Sequence, residues 1–452
     1  MAFNLESFCP EAWSQIEIDA EGDFKICCLA NFDDDFGMAR DDSDRVMNIT
    51  TDSIEDALNS KTHKEHRLEM MQNIKPKRCR SCYDSEDSTK IPEWGVSSSN
   101  GRSKRQRVIH ETAKSISEYM TVNTASKFTS MDGTVTSTVV NLDLRFGNLC
   151  NQKCIMCSPQ HSSLWYEDWK IISEGKNEYN REPGIYKKGK YKIYPLVEDN
   201  HGRTKMAGVT PWWETDDWWK KFDKISPDLR YIYFTGGEPL LVPAMQECLD
   251  RLIINGYAEN IQLRFDTNLS VINKKVIDKW KHFKKLYLCI SVDDTAERYN
   301  LIRNPGNYDR FIENLKIVKE NQIPIHYFSS CIGIASPYSV KRVIDLAEEF
   351  NVDTYFRFLE GPNWLDIRNF PKSAKLEIIN TIESFTGNTR YQRWYKAEIN
   401  LLKKYLDYEN QEHIKEFVRV MDILDSNRCT NWRETLADVY NLIRSHCNEV
   451  EV

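Results

Sequence analysis

Three cysteines lie close together in the segment LRFGNLCNQKCIMCSPQ (144–160). Cys150, Cys154 and Cys157 have the spacing Cys-x3-Cys-x2-Cys and directly follow a predicted strand. Thiolates are the ligands that iron–sulfur clusters prefer, and a short loop lets three of them converge on three corners of one 4Fe–4S cube. Three thiolates leave one iron open for a substrate or cofactor. A structural zinc site, which would close with a fourth ligand such as His161, is the alternative.

A second motif ends the next predicted strand, with the sequence Thr235-Gly236-Gly237-Glu238-Pro239. Glycines let the backbone approach a ligand closely, and both carbonyls and the Glu238 carboxylate can accept hydrogen bonds from an amino-acid ammonium group. Together, the three-cysteine loop and this Gly-Gly-Glu-Pro motif resemble the signature of the radical S-adenosylmethionine (SAM) superfamily. The resemblance covers roughly residues 139–360.

The resemblance implies a specific chemistry for the chain. The open iron of the cluster at the three cysteines would chelate the amino and carboxylate groups of SAM, and an electron would cleave SAM reductively. The resulting 5′-deoxyadenosyl radical would abstract a hydrogen atom from a substrate. Later strand ends resemble the SAM-binding segments of the family, although ordinary capping or packing would also explain these residue types. The implied cofactor-binding residues are Gly236, Gly237, Glu238, Pro239, Thr267, Asn268, Ser291, Asp293 and Arg303.

A second group of cysteines lies near the N-terminus. The region contains a predicted β-hairpin with its turn near Glu21-Gly22, and Cys79-x2-Cys82 follows a helical stretch. Four thiolates can hold a complete cluster with no open iron. The pattern resembles the SPASM/twitch auxiliary-cluster domains of radical SAM enzymes, here placed before the barrel. The implied ligands of an auxiliary 4Fe–4S cluster are Cys9, Cys27, Cys79 and Cys82, with Cys28 as a substitute for Cys27. A four-cysteine zinc site is the competing interpretation.

Six predicted strands alternate with helical segments from residue 139 onward, which indicates a parallel α/β sheet. With the two motifs, this pattern favours a partial (β/α)6 TIM-like barrel as the radical SAM core. The first crossover is unusually long and rich in tryptophan. We interpret it as an insertion over the top of the barrel, with a peripheral helical decoration as the alternative. The predicted strands lie in 138–146, 229–236, 261–267, 284–294, 323–334 and 352–359.

These patterns predict four regions. Residues 1–100 form the auxiliary-cluster domain, and residues 101–138 form a linker that includes the polar run RSKRQR. Residues 139–360 form the barrel, with the insertion at 165–225. Residues 361–452 form a helical C-terminal region, because several segments there have helical periodicity.

Composition limits the setting and the partners of the protein. Lys+Arg 61 against Asp+Glu 68 leaves a net charge of −7, whereas a dedicated nucleic-acid binder usually has a basic surplus. We find neither a signal peptide nor an apolar run long enough to span a membrane. The 13 cysteines are grouped in a way that favours metal ligation in a reducing cytoplasm over a disulfide framework. A flavodoxin or ferredoxin is the expected electron donor.

Three functions fit the sequence. The first is a radical SAM oxidoreductase or maturase-type enzyme that acts on a peptide or protein side chain, with the auxiliary cluster handling electrons of the substrate radical. The second applies the same chemistry to a small molecule such as a sugar, an aminoglycoside-like compound or a nucleotide. The third is a non-catalytic, zinc-binding scaffold. The sequence singles out no general acid or base.

Overall fold

A computed structural model of the chain describes most of its residues. The described residues are 5–30, 37–80, 82–83, 86, 120–173, 178–180, 193–198, 204–206, 211–359, 361–385, 389–447 and 450. The run RSKRQR and the first part of the predicted linker lie outside them.

A parallel sheet forms the centre of the fold, as the alternating pattern predicts. All six predicted strands are present, and each pairs in parallel with its neighbours. The predicted α/β radical SAM core with a partial barrel is therefore confirmed. The strands are β3 (Asn141–Arg145), β7 (Tyr231–Thr235), β8 (Gln262–Thr267), β9 (Lys285–Ser291), β10 (Ile325–Ile332) and β11 (Thr354–Phe358). Their order across the sheet is β11-β10-β9-β8-β7-β3.

The two faces of this sheet differ in chemistry because successive side chains of a strand point to opposite faces. In β3, Leu142 and Leu144 belong to the main hydrophobic core, whereas Asp143 and Arg145 belong to the other face. That other face is polar along the sheet: Arg264 donates to Tyr327 Oη at 3.0 Å and forms an ion pair with Asp266. The apolar face packs against helices.

An N-terminal hairpin extends the sheet beyond β3, which the sequence analysis did not anticipate. β1 (Gln15–Ile18) pairs in parallel with β3, and β2 (Phe24–Lys25) pairs antiparallel with β1. The hairpin itself was predicted, and Gly22 at its turn has a φ of +84°. The cysteine-rich N-terminal region is thus continuous with the barrel sheet rather than tethered beside it.

Helices cover the apolar face and continue to the C-terminus, as predicted. The helices between the barrel strands are Pro243–Ile254, Lys274–Trp280, Ala296–Ile302, Tyr308–Glu320 and Ser339–Phe350. Those of the C-terminal region are Lys372–Glu383, Thr389–Lys404, Gln411–Arg428, Trp432–Thr435 and Ala437–His446. The N-terminal part contains Glu11–Ser14, Ile54–Leu58, Lys61–Met71 and Val122–Phe128. No helix among the described residues is long and apolar enough to cross a membrane.

The long first crossover is partly described. It contains the helices Trp165–Ile172 and Asp216–Ile225 and a small antiparallel sheet of β4 (Glu178–Asn180), β5 (Ile193–Glu198) and β6 (Thr204–Met206). Trp212 and Trp218 are fully buried, and their rings lie 4.9 Å apart. This segment therefore contributes to the core.

The predicted domain boundaries stay predictions. Within the segment interpreted as a linker, Val122–Phe128 is helical, and Trp13 Nε1 donates to Thr129 Oγ1 at 2.7 Å. That part of the segment is thus packed on the N-terminal region.

Candidate metal centres

The three-cysteine loop begins directly after β3, at the carboxyl end of the parallel strands. In α/β barrels this end carries the functional groups. Burial raises the pKa of the Cys150 thiol to about 12, and the neighbouring Cys154 contributes to the rise. Burial also raises the pKa of Cys157, with further contributions from Cys154 and Cys150. The three thiols therefore lie close enough to interact electrostatically, as three ligands of one cluster must.

Backbone hydrogen bonds hold this loop against the segment that follows β9. Lys153 N donates to Asn304 O at 2.6 Å, and Ile155 N donates to Ile302 O at 2.8 Å. Ser162 Oγ donates to Gln152 O at 2.6 Å. These hydrogen bonds within the chain therefore hold the loop in a defined conformation.

The Gly-Gly-Glu-Pro motif presses against the same loop. A Cβ atom on Gly237 would lie 2.1 Å from Leu149 O, so only glycine fits at this position. The next residue, Glu238, donates its backbone N–H to that same carbonyl at 2.8 Å. The motif and the cysteine loop therefore form one site.

The Glu238 carboxylate is buried and already accepts three hydrogen bonds. Its donors are Thr267 Oγ1 at 2.7 Å, Asn268 N at 2.7 Å and Leu240 N at 3.1 Å. Burial raises its pKa to about 7 in spite of these hydrogen bonds, which lower it. Asn268 in turn places Nδ2 3.9 Å from Cys150 Sγ. The predicted residues Glu238, Thr267 and Asn268 thus lie together beside the cysteines.

Asp293 and Arg303 form a buried ion pair next to Cys154. Arg303 Nη2 lies 2.6 Å from Asp293 Oδ2, and Arg303 Nη1 lies 4.0 Å from Cys154 Sγ. Asp293 Oδ1 accepts a hydrogen bond from Cys331 N at 2.8 Å, which fixes the carboxylate between β9 and β10. Ser291 is the last residue of β9 and is half-buried. Arg303 is therefore held at the cysteine loop by Asp293.

The N-terminal cysteines meet in a second cavity. All four preferred ligands line it: Cys9, Cys27, Cys79 and Cys82. Burial raises the pKa of the Cys79 thiol, and Cys9 and Cys82 raise it further, so these thiols lie close together. The hairpin, the helix and the Cys-x2-Cys segment are distant in the chain, and all three line this one cavity.

Cys28 faces away from this cavity. It is not among the described residues that line the cavity, and its thiol lies within 4.8 Å of the carboxylates of Glu17 and Asp143. These two acidic residues belong to the polar face of the barrel sheet. The geometry therefore favours Cys27 over Cys28 as the ligand.

Two buried residues near the second cavity were missed by the sequence analysis. His66 Nε2 lies 3.5 Å from Cys79 Sγ, and Glu11 Oε2 lies 3.7 Å from Cys27 Sγ. His66 belongs to the helix Lys61–Met71 between the hairpin and the Cys-x2-Cys segment. The location of this helix between two cysteine groups was the one available signal.

The two centres lie at opposite ends of β3. Glu11 contacts Cys27 and also accepts a hydrogen bond from Asn141, the first residue of β3, at 3.3 Å. Cys150 lies five residues beyond Arg145, the last residue of the strand. With a rise of about 3.3 Å per residue, the strand separates the two ends by about 13 Å. The polar face of the sheet extends between them.

Both sets of donors fit iron–sulfur clusters. Three converging thiols with an open position fit a SAM-binding 4Fe–4S cluster, and four thiols around one cavity fit a cluster that is closed by protein ligands. The two sites differ in the number of thiols. This difference suits their chemistry, because only the three-thiol site has to leave an iron accessible.

Comparison with known families agrees with this division. Residues 144–347 match the model of the Radical SAM superfamily, and residues 9–83 match the model of an iron-sulfur cluster-binding domain, SPASM. The N-terminal placement of the SPASM domain is thus confirmed, and the cofactors that the two domains bring are 4Fe–4S clusters and SAM. A search of curated proteins gave no significant match.

Solved structures show limited overall similarity. A structure of anSMEcpe with bound AdoMet is 15% identical with a TM-score of 0.36, and the alignment covers 58% of this chain and 59% of that one. The chain thus spans about three fifths of the length of that protein. Streptococcus suis SuiB bound to its precursor peptide SuiA is 12% identical with a TM-score of 0.34, and the alignment covers 79% of this chain and 71% of that one.

Proposed function

Because the chain combines a radical SAM domain with an iron–sulfur cluster-binding SPASM domain, we propose that it is an enzyme that abstracts a hydrogen atom from a peptide or protein side chain. One observation carries the proposal. A three-thiol site and a four-thiol site lie at opposite ends of β3, and the polar face of one continuous sheet lies between them. A substrate on that face would lie between the two centres.

The cysteine loop would hold the SAM-binding cluster through Cys150, Cys154 and Cys157. When bound, this cluster and SAM supply reductive cleavage of SAM and a carbon-centred radical that abstracts hydrogen. The residues of the chain bind and orient. Gly237 gives the backbone close access to the loop, and Glu238 braces the ends of β7 and β8.

The four-thiol cavity would hold the auxiliary cluster through Cys9, Cys27, Cys79 and Cys82. Its position at the amino end of β3 supports a role in taking an electron from the substrate radical. The cavity is built from the N-terminal region, whose hairpin is hydrogen-bonded to the barrel. The distance between the centres is therefore fixed by a strand and not by a linker.

A peptide substrate is supported by the surface of the cysteine loop. Leu149 and Leu164 expose 49% and 39% of their surfaces there, next to residues that are otherwise buried or half-buried. Apolar side chains at the rim can contact a substrate that is longer than the polar space inside. Trp213 is half-buried above Gly147 at the same rim.

The experiment that tests the proposal uses the full chain, reconstituted anaerobically with iron and sulfide. We expect 5′-deoxyadenosine under dithionite and a peptide product that has lost hydrogen or gained a cross-link, detected by mass spectrometry across a peptide library. Protein that contains zinc in place of iron would rule out the enzyme. Iron-loaded protein without any 5′-deoxyadenosine would do the same.

A small polar substrate is the second candidate, and the polar face of the sheet favours it. Tyr233 Oη donates to Asp266 Oδ2 at 2.5 Å, and Arg264 links Asp266 to Tyr327. Such groups suit hydroxyl-rich molecules such as sugars. Turnover that depends on a small metabolite, with no peptide product, would favour this candidate over the first.

A further inference from the structure

Asp168 is a completely buried carboxylate that joins the cysteine loop to the C-terminal helical region. It belongs to the helix Trp165–Ile172, and its carboxylate lies 3.0 Å from Lys153 Nζ and 2.8 Å from Arg428 Nη2. Asn427 also donates to it. Lys153 immediately precedes Cys154, whereas Arg428 ends the helix Gln411–Arg428 of the C-terminal region. We call Asp168, Lys153 and Arg428 the Asp168 network.

A tryptophan makes a second connection from this network to the same cysteine. The Arg428 guanidinium lies over the ring of Trp165, 5.0 Å from its centroid, and Trp165 Nε1 donates to Cys154 O at 2.9 Å. Trp165 is fully buried. Arg428 therefore has a defined position relative to Cys154 instead of a range of rotamers.

The charges of the network do not cancel. Within the network, one carboxylate faces two cations, and the carboxylate of Asp425 also acts on Arg428. The other arginine near Cys154, Arg303, is different because Asp293 matches it one to one. A buried surplus of positive charge is costly unless an anion lies nearby. Thiolates and the bound cluster are the anions that this location offers.

We propose that the Asp168 network sets the reduction potential of the SAM-binding cluster, and that the helical C-terminal region is thereby part of the redox centre. This inference rests on the proposed placement of that cluster at Cys150, Cys154 and Cys157. A positive charge nearby stabilises the reduced cluster, which carries one more negative charge than the oxidised cluster. Arg428 and Lys153 therefore raise the potential, and Asp168 lowers it.

The charge of Arg428 lies close to the cysteine loop, because its guanidinium group lies over the ring of Trp165, whose Nε1 donates to Cys154 O. Arg428 is itself almost fully buried, so solvent screens this charge little.

The inference is tested by the reduction potential of the cluster, which should shift in opposite directions when a cation or the carboxylate of the network is neutralised. The full-length protein is reconstituted anaerobically, and the potential is titrated by EPR on the signal that changes when SAM is added. We expect Arg428→Gln and Lys153→Gln to shift the potential to lower values and Asp168→Asn to shift it to higher values. Arg428→Lys, which keeps the charge, should stay near the wild type. Iron content and circular dichroism monitor the fold.

A purely structural network predicts a different result. Loosening of the loop would shift all the variants in one direction or lower the iron content without changing the potential of the remaining cluster, and either result would overturn the inference. If Asp168→Asn does not retain iron, Arg428→Gln and Lys153→Gln decide the matter: unchanged potentials in both refute it. The matched control is Arg433→Gln. It breaks a half-exposed ion pair with Asp422, which lies on the same helix as Arg428, and it should leave the potential unchanged.

Failure of the underlying function would look different. If wild type and Cys154→Ala gave the same SAM-dependent signal, or none, the cluster would not be at this loop at all. That outcome refutes the proposed function, whereas a SAM-dependent signal that is lost in Cys154→Ala but insensitive to Arg428 refutes only the inference.

Discussion

The backbone N–H of Asn268 donates to the Glu238 carboxylate at 2.7 Å and so ties the end of β8 to the end of β7. Thr267 adds a second hydrogen bond from β8, and Leu240 adds one from within the motif itself. Because these three donors already occupy the carboxylate, Glu238 acts first as a brace for the loops around the cysteines.

We expect Glu238→Gln to destabilise the protein. The amide nitrogen of Gln would face at least one of the three buried donors, and an unsatisfied buried donor costs about 1–3 kcal/mol. The apparent free energy of unfolding should fall by this amount. SAM binding should also weaken, as measured by equilibrium dialysis. The control is Glu247→Gln, which removes a half-exposed pair with Arg251 worth about 0.3–0.5 kcal/mol. Equal effects of the two substitutions would contradict the bracing role.

Cys27 and Cys28 should differ in their effect on iron content. Cys27 lines the four-thiol cavity, and Cys28 lies beside Glu17 and Asp143. We therefore expect Cys27→Ala to lose one cluster's worth of iron and sulfide, and Cys28→Ala to keep it. Iron and sulfide analysis after anaerobic reconstitution measures both variants, and the reverse pattern would show that Cys28 is the ligand.

Cys154→Ala and Cys79→Ala should separate the two centres. Cys154 lies in the three-thiol loop, so its loss should abolish SAM cleavage while the fold largely remains. Cys79 belongs to the other cavity, so its loss should spare SAM cleavage but block turnover of the substrate. The measurement is 5′-deoxyadenosine formation under dithionite. Continued formation by Cys154→Ala would show that the site has been assigned to the wrong loop.

Gly147→Ala should disturb the cysteine loop more than a comparable change elsewhere. Gly147 has a φ of +67°, and an added Cβ would lie 2.6 Å from Trp213 Cη2. Backbone strain of about 1–2 kcal/mol and overpacking of about 1–3 kcal/mol should both act there. We expect a lower unfolding midpoint and less iron at the three-thiol site.

Gly256→Ala is the matched control for that substitution. Gly256 has a similar φ of +74°, but nothing lies within 4 Å of an added Cβ. It should show the backbone strain alone, with normal iron content. If the two variants behaved alike, the contact between Trp213 and the cysteine loop would have no role in the site.

The local motifs could be identified in the sequence because their chemistry depends on close spacing. The three thiols lie within one short loop, and Gly-Gly-Glu-Pro is a contiguous motif, whereas the contacts of Gly237 and Glu238 with Leu149 O come from the fold. The six barrel strands could also be predicted from the sequence, because apolar runs bounded by helical segments depend on local periodicity. These features establish the radical SAM core and its cofactors.

Tertiary structure decided what depends on contacts between distant segments. Adjacent thiols such as Cys27 and Cys28 look equivalent in the sequence, and only the path of the chain after β2 directs one to the cavity and the other to the barrel face. The pairing of β1 with β3 sets the arrangement of the two centres. No local sequence pattern encodes which strand of the sheet pairs with the N-terminal hairpin. Asp168 and Arg428 are separated by 260 residues, so their contact beside Cys154 exists only because the C-terminal helix packs against the first crossover.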